Sequence, residues 1–150
     1  MPHTFTLIAL PGTYAVCRLR ANAPLPAWVR IDDSGGFVSV TRTPEELSLV
    51  VSDAALPPGL RTEDAAGSYE VFEDHPDLKA ERGWTALRIA GTLDFGMTGV
   101  LAALTGVLAP VGITVFTIST YDTDYLFVRH ESLERAARVL RLEGHTIDVG

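Results

Sequence analysis

The sequence predicts an α+β chain built as two ferredoxin-like βαββαβ units in tandem, the first with reduced helices. Three observations predict it. The second half alternates strand-like and helix-like segments in the order β-α-β-β-α-β. Short blocks of the first half return in the second in the same order, the mark of a duplication. The chain has 150 residues, 47% of them hydrophobic, enough for one ordinary domain or two small ones sharing a core. The units are expected at 1–75 and 84–150, with 76–83 as the linker.

The recurring blocks are Tyr14-Ala15-Val16-Cys17-Arg18-Leu19 on Trp84-Thr85-Ala86-Leu87-Arg88-Ile89, and Val40 to Val50 on Ile118 to Val128. In the second match the apolar ends and the hydroxyl pair fall together, and Glu46 falls on Asp124.

In the second half, Thr85 to Ala90 reads as a strand, and Asp94 precedes a glycine-rich turn into a helix. Val100, Leu101, Leu104, Leu108 and Val111 share one helical face, with small residues around the rest. Pro110 and Gly112 end that helix. Ile113 to Ile118 is β-branched and strand-like, and Tyr125-Leu126-Phe127-Val128 returns as its neighbour. Ser132 is expected as the N-cap of a last helix whose stripe is Leu133, Ala136, Ala137, Leu140 and Leu142. Gly144 closes that helix, and Thr146 to Val149 is a final strand.

The first half reads as a worn copy. Thr4 to Leu10 is an added leading strand. Ala21 to Val29 leaves room for only a short helix begun by proline. Phe37 to Val40 and Leu47 to Val51 form a hairpin around Thr43-Pro44-Glu45, and the second helix shrinks to a turn near Pro58-Gly59-Leu60. Glu73 to Asp77 with Lys79 to Gly83 reads as the linker, because His75-Pro76 forces an extended or turn conformation.

A formal net charge of −7 argues against a nucleic-acid partner, which needs a basic face. The start lacks a basic patch followed by an apolar run, so no signal peptide is expected. The uncharged stretch Phe95 to Tyr121 is long enough to cross a bilayer. Its glycines, Pro110 and β-branched second half favour a helix followed by a buried strand, and no membrane partner is expected. One cysteine, Cys17, fits a cytoplasmic chain and a core position better than a nucleophile.

The chemistry gathers at two places. Asp94, Phe95, Gly96, Met97, Thr98 and Gly99 open a helix, where backbone N–H groups and the helix dipole favour an anion. Taken blandly, Asp94 merely caps the helix while glycine lets the chain bend. Ser119, Thr120, Tyr121 and Asp124 surround a strand-to-strand joint, where a carboxylate in a partly dry crevice accepts an ammonium or guanidinium. Taken blandly, the joint is a polar hairpin end. His3, His75, His130 and His145 have no metal-ligand spacing, and neither a metal nor a cofactor is expected.

The joint Ile118-Ser119-Thr120-Tyr121, followed by Thr123-Asp124-Tyr125 and an apolar strand, resembles the tandem ACT domain proteins. More narrowly it is similar to bacterial relatives of the cytosolic arginine sensors and of aspartate kinase regulatory domains. Gly99-Val100-Leu101-Ala102, with Ala109-Pro110-Val111-Gly112-Ile113 after it, fits an ACT helix and its next strand. The resemblance implies paired ACT units that bind an amino acid or similar small effector at an ACT–ACT contact within a homodimer. It also implies an effector carboxylate at the helix start and an acid at its amine. Thr120, Tyr121 and Asp124 match the joint motif, and Asp94 to Gly99 match the loop before the helix. In the first half Thr43-Pro44-Glu45-Glu46 departs from the pattern, against a symmetric pair of sites.

Three functions follow from this reading. The first is a non-enzymatic regulatory or sensor module. The second is a structural or protein-interaction module with no ligand. The third, least supported, is a small hydrolase or lyase using Asp122 and Asp124 as an acid–base pair, for which no histidine, lysine or metal set is placed.

Overall fold

Strand alternation and one helical stripe are enough to raise the second half of the chain. In the computed structural model, which describes residues 3–32, 36–57, 78–91 and 99–150, the chain divides into two units. One joins Met1–Pro11 to Trp84–Gly150, and the other is Gly12–Gly83.

The unit Trp84–Gly150 contains the end of β5 (Lys79–Ile89), α1 (Val100–Leu108), β6 (Val115–Ser119), β7 (Asp124–Arg129), α2 (Leu133–Leu142) and β8 (Thr146–Asp148). Into its sheet goes β1 (Thr6–Ala9) from the start of the chain. The strand order is β6-β7-β5-β1-β8, with β1 antiparallel to β5 and parallel to β8. The leading strand, expected with the first half, thus lies between the first and last strands of the second. Its ties are local and dense. Ala90 N–H donates to Thr6 O at 2.8 Å, Leu10 N–H to Ala86 O at 2.9 Å and Thr146 N–H to Phe5 O at 2.9 Å. Leu7 is fully buried. Alternation shows that such a strand is half-buried, but not which strand it pairs with.

One face of this sheet carries Leu7, Leu87, Ile89, Leu126 and Val128 against Val100, Leu104 and Leu108 of α1 and Ala136, Ala137 and Leu140 of α2. The expected stripe holds for Val100, Leu104 and Leu108, and Leu101 packs at its edge. Val111 departs from it, 40% exposed, because the helix gives way to a 3-10 turn over Ala109–Val111 containing Pro110. Gly112 then takes φ 76°, a left-handed conformation that costs glycine little. Ser132 does not cap α2 through its side chain. A 3-10 turn, His130–Ser132, leads into the helix and leaves Ser132 already helical at φ −95°, ψ −3°. Among the described residues no helix is long and apolar enough to cross a membrane.

In the unit Gly12–Gly83, β2 (Tyr14–Leu19), β3 (Ser39–Arg42) and β4 (Leu47–Ser52) join the start of β5 in the order β3-β4-β2-β5. Ala15, Cys17, Leu19, Leu47, Leu49, Val51, Leu56, Leu78 and Ala80 form its core. Lys79 to Gly83, expected as linker, is strand instead, with Leu78 and Ala80 buried beside it. Asp53 helps hold that strand, accepting from Thr13 Oγ1 at 2.6 Å and from Gly83 N–H at 3.3 Å, with Arg82 Nε 3.7 Å away. No helix forms over 21–29, where turns closed by Ala23 N–H to Arg20 O and Val29 N–H to Pro26 O take its place. Pro24 and Pro26 remove two donors and push Ala23 and Leu25 toward extended backbone. The turn expected near Pro58-Gly59-Leu60 lies outside the described residues.

The duplication is visible in the ladders, one residue away from where the sequence blocks put it. Ala15 pairs with Val51 and Arg18 with Ser48, where Thr85 pairs with Val128 and Arg88 with Tyr125. Arg42 and Leu47 close one hairpin where Ser119 and Asp124 close the other. Thr43 therefore matches Thr120, Glu46 matches Thr123, and Leu47, not Glu46, matches Asp124.

Candidate functional site

The β6–β7 joint is held by its own threonines. Thr120 N–H donates to Thr123 O at 2.8 Å, the Thr120 hydroxyl donates to the same oxygen at 3.1 Å, and Thr123 N–H returns to Thr120 Oγ1 at 3.4 Å. The ladder between β5 and β7 ends at Arg88 and Tyr125. Beyond it, the buried Thr123 hydroxyl donates to Ile89 O at 2.8 Å, a side-chain bond to the last residue of β5. The hairpin end is thereby fixed to the end of β5.

That attachment positions the acid. Asp124 is half-buried, and its Oδ1 accepts from the Ser119 hydroxyl. Side chains two apart on a strand share a face, so Asp124 stands with Leu126 and Val128 on the helix-bearing side, and Ser119 stands with Val115. Because β5 and β6 both run antiparallel to β7, Ser119 and Ile89 lie at one end of the sheet. The chain leaves β5 at that end and enters α1 at Gly99, whose φ is 77°. The carboxylate and α1 thus share one face of the sheet. Among the described residues the first turn of α1 has neither an acidic residue nor a side-chain cap, and its dipole favours an anion. The arrangement offers a hydrogen-bond acceptor for a cationic group beside a helix start suited to an anionic one.

Of the residues predicted for the site, Ser119, Thr120 and Asp124 fall at this end of the sheet, and Gly99 opens α1. Tyr121 stands at the tip of the joint, 80% exposed. Asp94, Phe95, Gly96, Met97 and Thr98 lie outside the described residues. Thr123 was not predicted, although the spacing Thr120-x-x-Thr123 between two strand-like runs carried the signal. Cys17 is 1% exposed, and burial, with Asp53 adding to it, pushes its thiol up to about 12. Among the described residues no cluster of three His, Cys, Asp or Glu is placed to hold a metal. An open groove of about 660 Å³ runs along α2, floored by Leu133, Ala137, Leu142 and Val149, and none of the predicted residues lines it.

The family model described as "ACT domain" matches residues 79–141, which hold β5 through nearly all of α2. Residues 79–141 thus carry an ACT domain. A second model, described as an N-terminal domain, matches residues 12–58 of this chain. The crystal structure of protein Atu0741 from Agobacterium tumefaciens is 32% identical, covers 99% of this chain and 96% of its own, and superposes with a TM-score of 0.79. Human CASTOR3P is 27% identical over 114 residues, 71% of this chain, and the chain spans 63% of that relative's length. Aspartate kinase from Clostridium acetobutylicum shares the fold at 11% identity and a TM-score of 0.60, covering 89% of this chain and 33% of the kinase. ACT domains are regulatory modules, and the two-unit α+β architecture here is of their ferredoxin-like type.

Proposed function

We propose that this ACT chain is a non-enzymatic regulatory or sensor module that binds a small effector, an amino acid, and acts as a homodimer in the cytoplasm. What supports the reading is the Ser119–Asp124 pair on the face of the sheet that α1 packs against. An α-amino acid carries one group for each partner: an ammonium for the half-buried carboxylate, and a carboxylate for the helix start. The likeness to aspartate kinases supports the regulatory role; one such neighbour, E. coli aspartokinase III, was crystallised with aspartate and ADP.

A thermal-shift screen of the twenty amino acids, followed by calorimetry, tests the proposal. Binding to the folded state at a hundred times Kd stabilises by about 2.7 kcal/mol. Asp124→Ala is expected to abolish that stabilisation. If no amino acid raises the melting temperature of the wild type, the reading fails and an interaction module without a ligand replaces it. The Ser119–Asp124 hydrogen bond would then be a structural pin of the hairpin.

A further inference from the structure

We infer that the chain takes a single effector, because Arg42 closes the counterpart of the site in the unit Gly12–Gly83. This rests on the effector reading above. The two hairpin joints have the same internal bonds. Thr43 N–H donates to Glu46 O at 2.9 Å, the Thr43 hydroxyl to the same oxygen at 3.4 Å, and Glu46 N–H to Thr43 Oγ1 at 3.1 Å, as between Thr120 and Thr123. That identity, with the shared ladder registers, fixes which residues correspond. Val38 packs on one core as Val115 packs on the other, so the faces correspond as well.

At the matched positions the chemistry is reversed. Leu47 replaces Asp124 and lies in the core, 1% exposed. Arg42 replaces Ser119, and its guanidinium donates from Nη1 to Ala21 O and from Nη2 to Ala23 O, the latter at 2.6 Å. Residues 20–29 follow β2 in sequence as residues 90–99 follow β5, so Arg42 bonds to the counterpart in sequence of the segment that leads into α1. An arriving ammonium finds a leucine in place of the carboxylate and a fixed cation in place of the serine hydroxyl, which disfavours it. The carbonyls of Ala21 and Ala23 already have a donor.

Native mass spectrometry with an equimolar pool of the twenty amino acids, run on wild type, Asp124→Ala and Arg42→Met, decides the stoichiometry. Amide exchange at Ala23 is measured on the same proteins. One bound molecule per chain is expected for wild type and Arg42→Met, and none for Asp124→Ala. Exchange at Ala23, whose N–H bonds Arg20 O, is expected to quicken at least about tenfold in Arg42→Met. Two molecules per chain in the wild type, or one retained by Asp124→Ala, overturns the inference. So does unchanged exchange in Arg42→Met. Absence of any bound molecule in the wild type refutes the effector reading, and the exchange arm still decides whether Arg42 closes its unit.

Discussion

Replacing Thr123 by valine tests the device that positions Asp124. Valine keeps the shape and removes only the hydroxyl that donates to Ile89 O at 2.8 Å. Thr123 is 5% exposed, so water does not readily substitute and the carbonyl is left unsatisfied. Leaving a buried acceptor without a donor costs about 1–3 kcal/mol. At about 2–4 °C per kcal/mol for a chain of this size, the melting temperature should fall by about 2–12 °C. Thr123→Ser keeps the donor and loses one methyl, a cost of about 0.8 kcal/mol. Urea denaturation reads both: the midpoint should fall more for valine than for serine, at an unchanged slope. A valine variant as stable as wild type, or a serine variant less stable than the valine one, would refute the claim that this hydroxyl completes the ladder.

Other outcomes follow from the same coordinates. Leu104 is fully buried between α1 and the sheet, so Leu104→Ala should cost about 2–5 kcal/mol in chemical denaturation. His145 Nδ1 accepts from Phe5 N–H at 3.0 Å, which requires the neutral ring, and burial lowers its pKa from 6.5 against an opposing pull from Glu143. The unfolded chain therefore takes up this proton at higher pH than the folded one, so stability present above about 6.5 is lost as pH falls. A His145→Gln variant should flatten that dependence in melts between about pH 7.5 and 5. Cys17, with its thiol pushed up to about 12 and its side chain in the core, should resist iodoacetamide at pH 8 until denaturant unfolds the chain, as followed by mass.

The second unit was legible because its patterns are long. The stripe of α1 and the β-branched run of β6 left little choice of element. The joint was legible for a different reason: hydroxyls and acids between two apolar strands have few uses. Pairing was the hidden variable. Nothing in Thr6–Ala9 distinguishes an edge position from one between β5 and β8, since period-two alternation reports burial and not neighbours. The repeat was found but slipped by one residue, because an acid at Glu46 outweighed the Thr43–Thr120 match that the turn hydrogen bonds enforce. The missing helix over 21–29 shows the same limit. Pro24 suggested a helix start, yet Pro26 two residues later takes out a second donor and leaves turns.

The placement of β1 has a consequence for biogenesis. Phe5 and His145, joined by a hydrogen bond, lie 140 residues apart in the chain. On the ribosome, β1 emerges before both of its partners and must wait, unpaired, for β5 and then for β8. Joining Gly150 to the leading strand and opening the chain at Pro11–Gly12 would make that unit contiguous. Such a circular permutant should acquire its sheet sooner after dilution from denaturant than the natural order does.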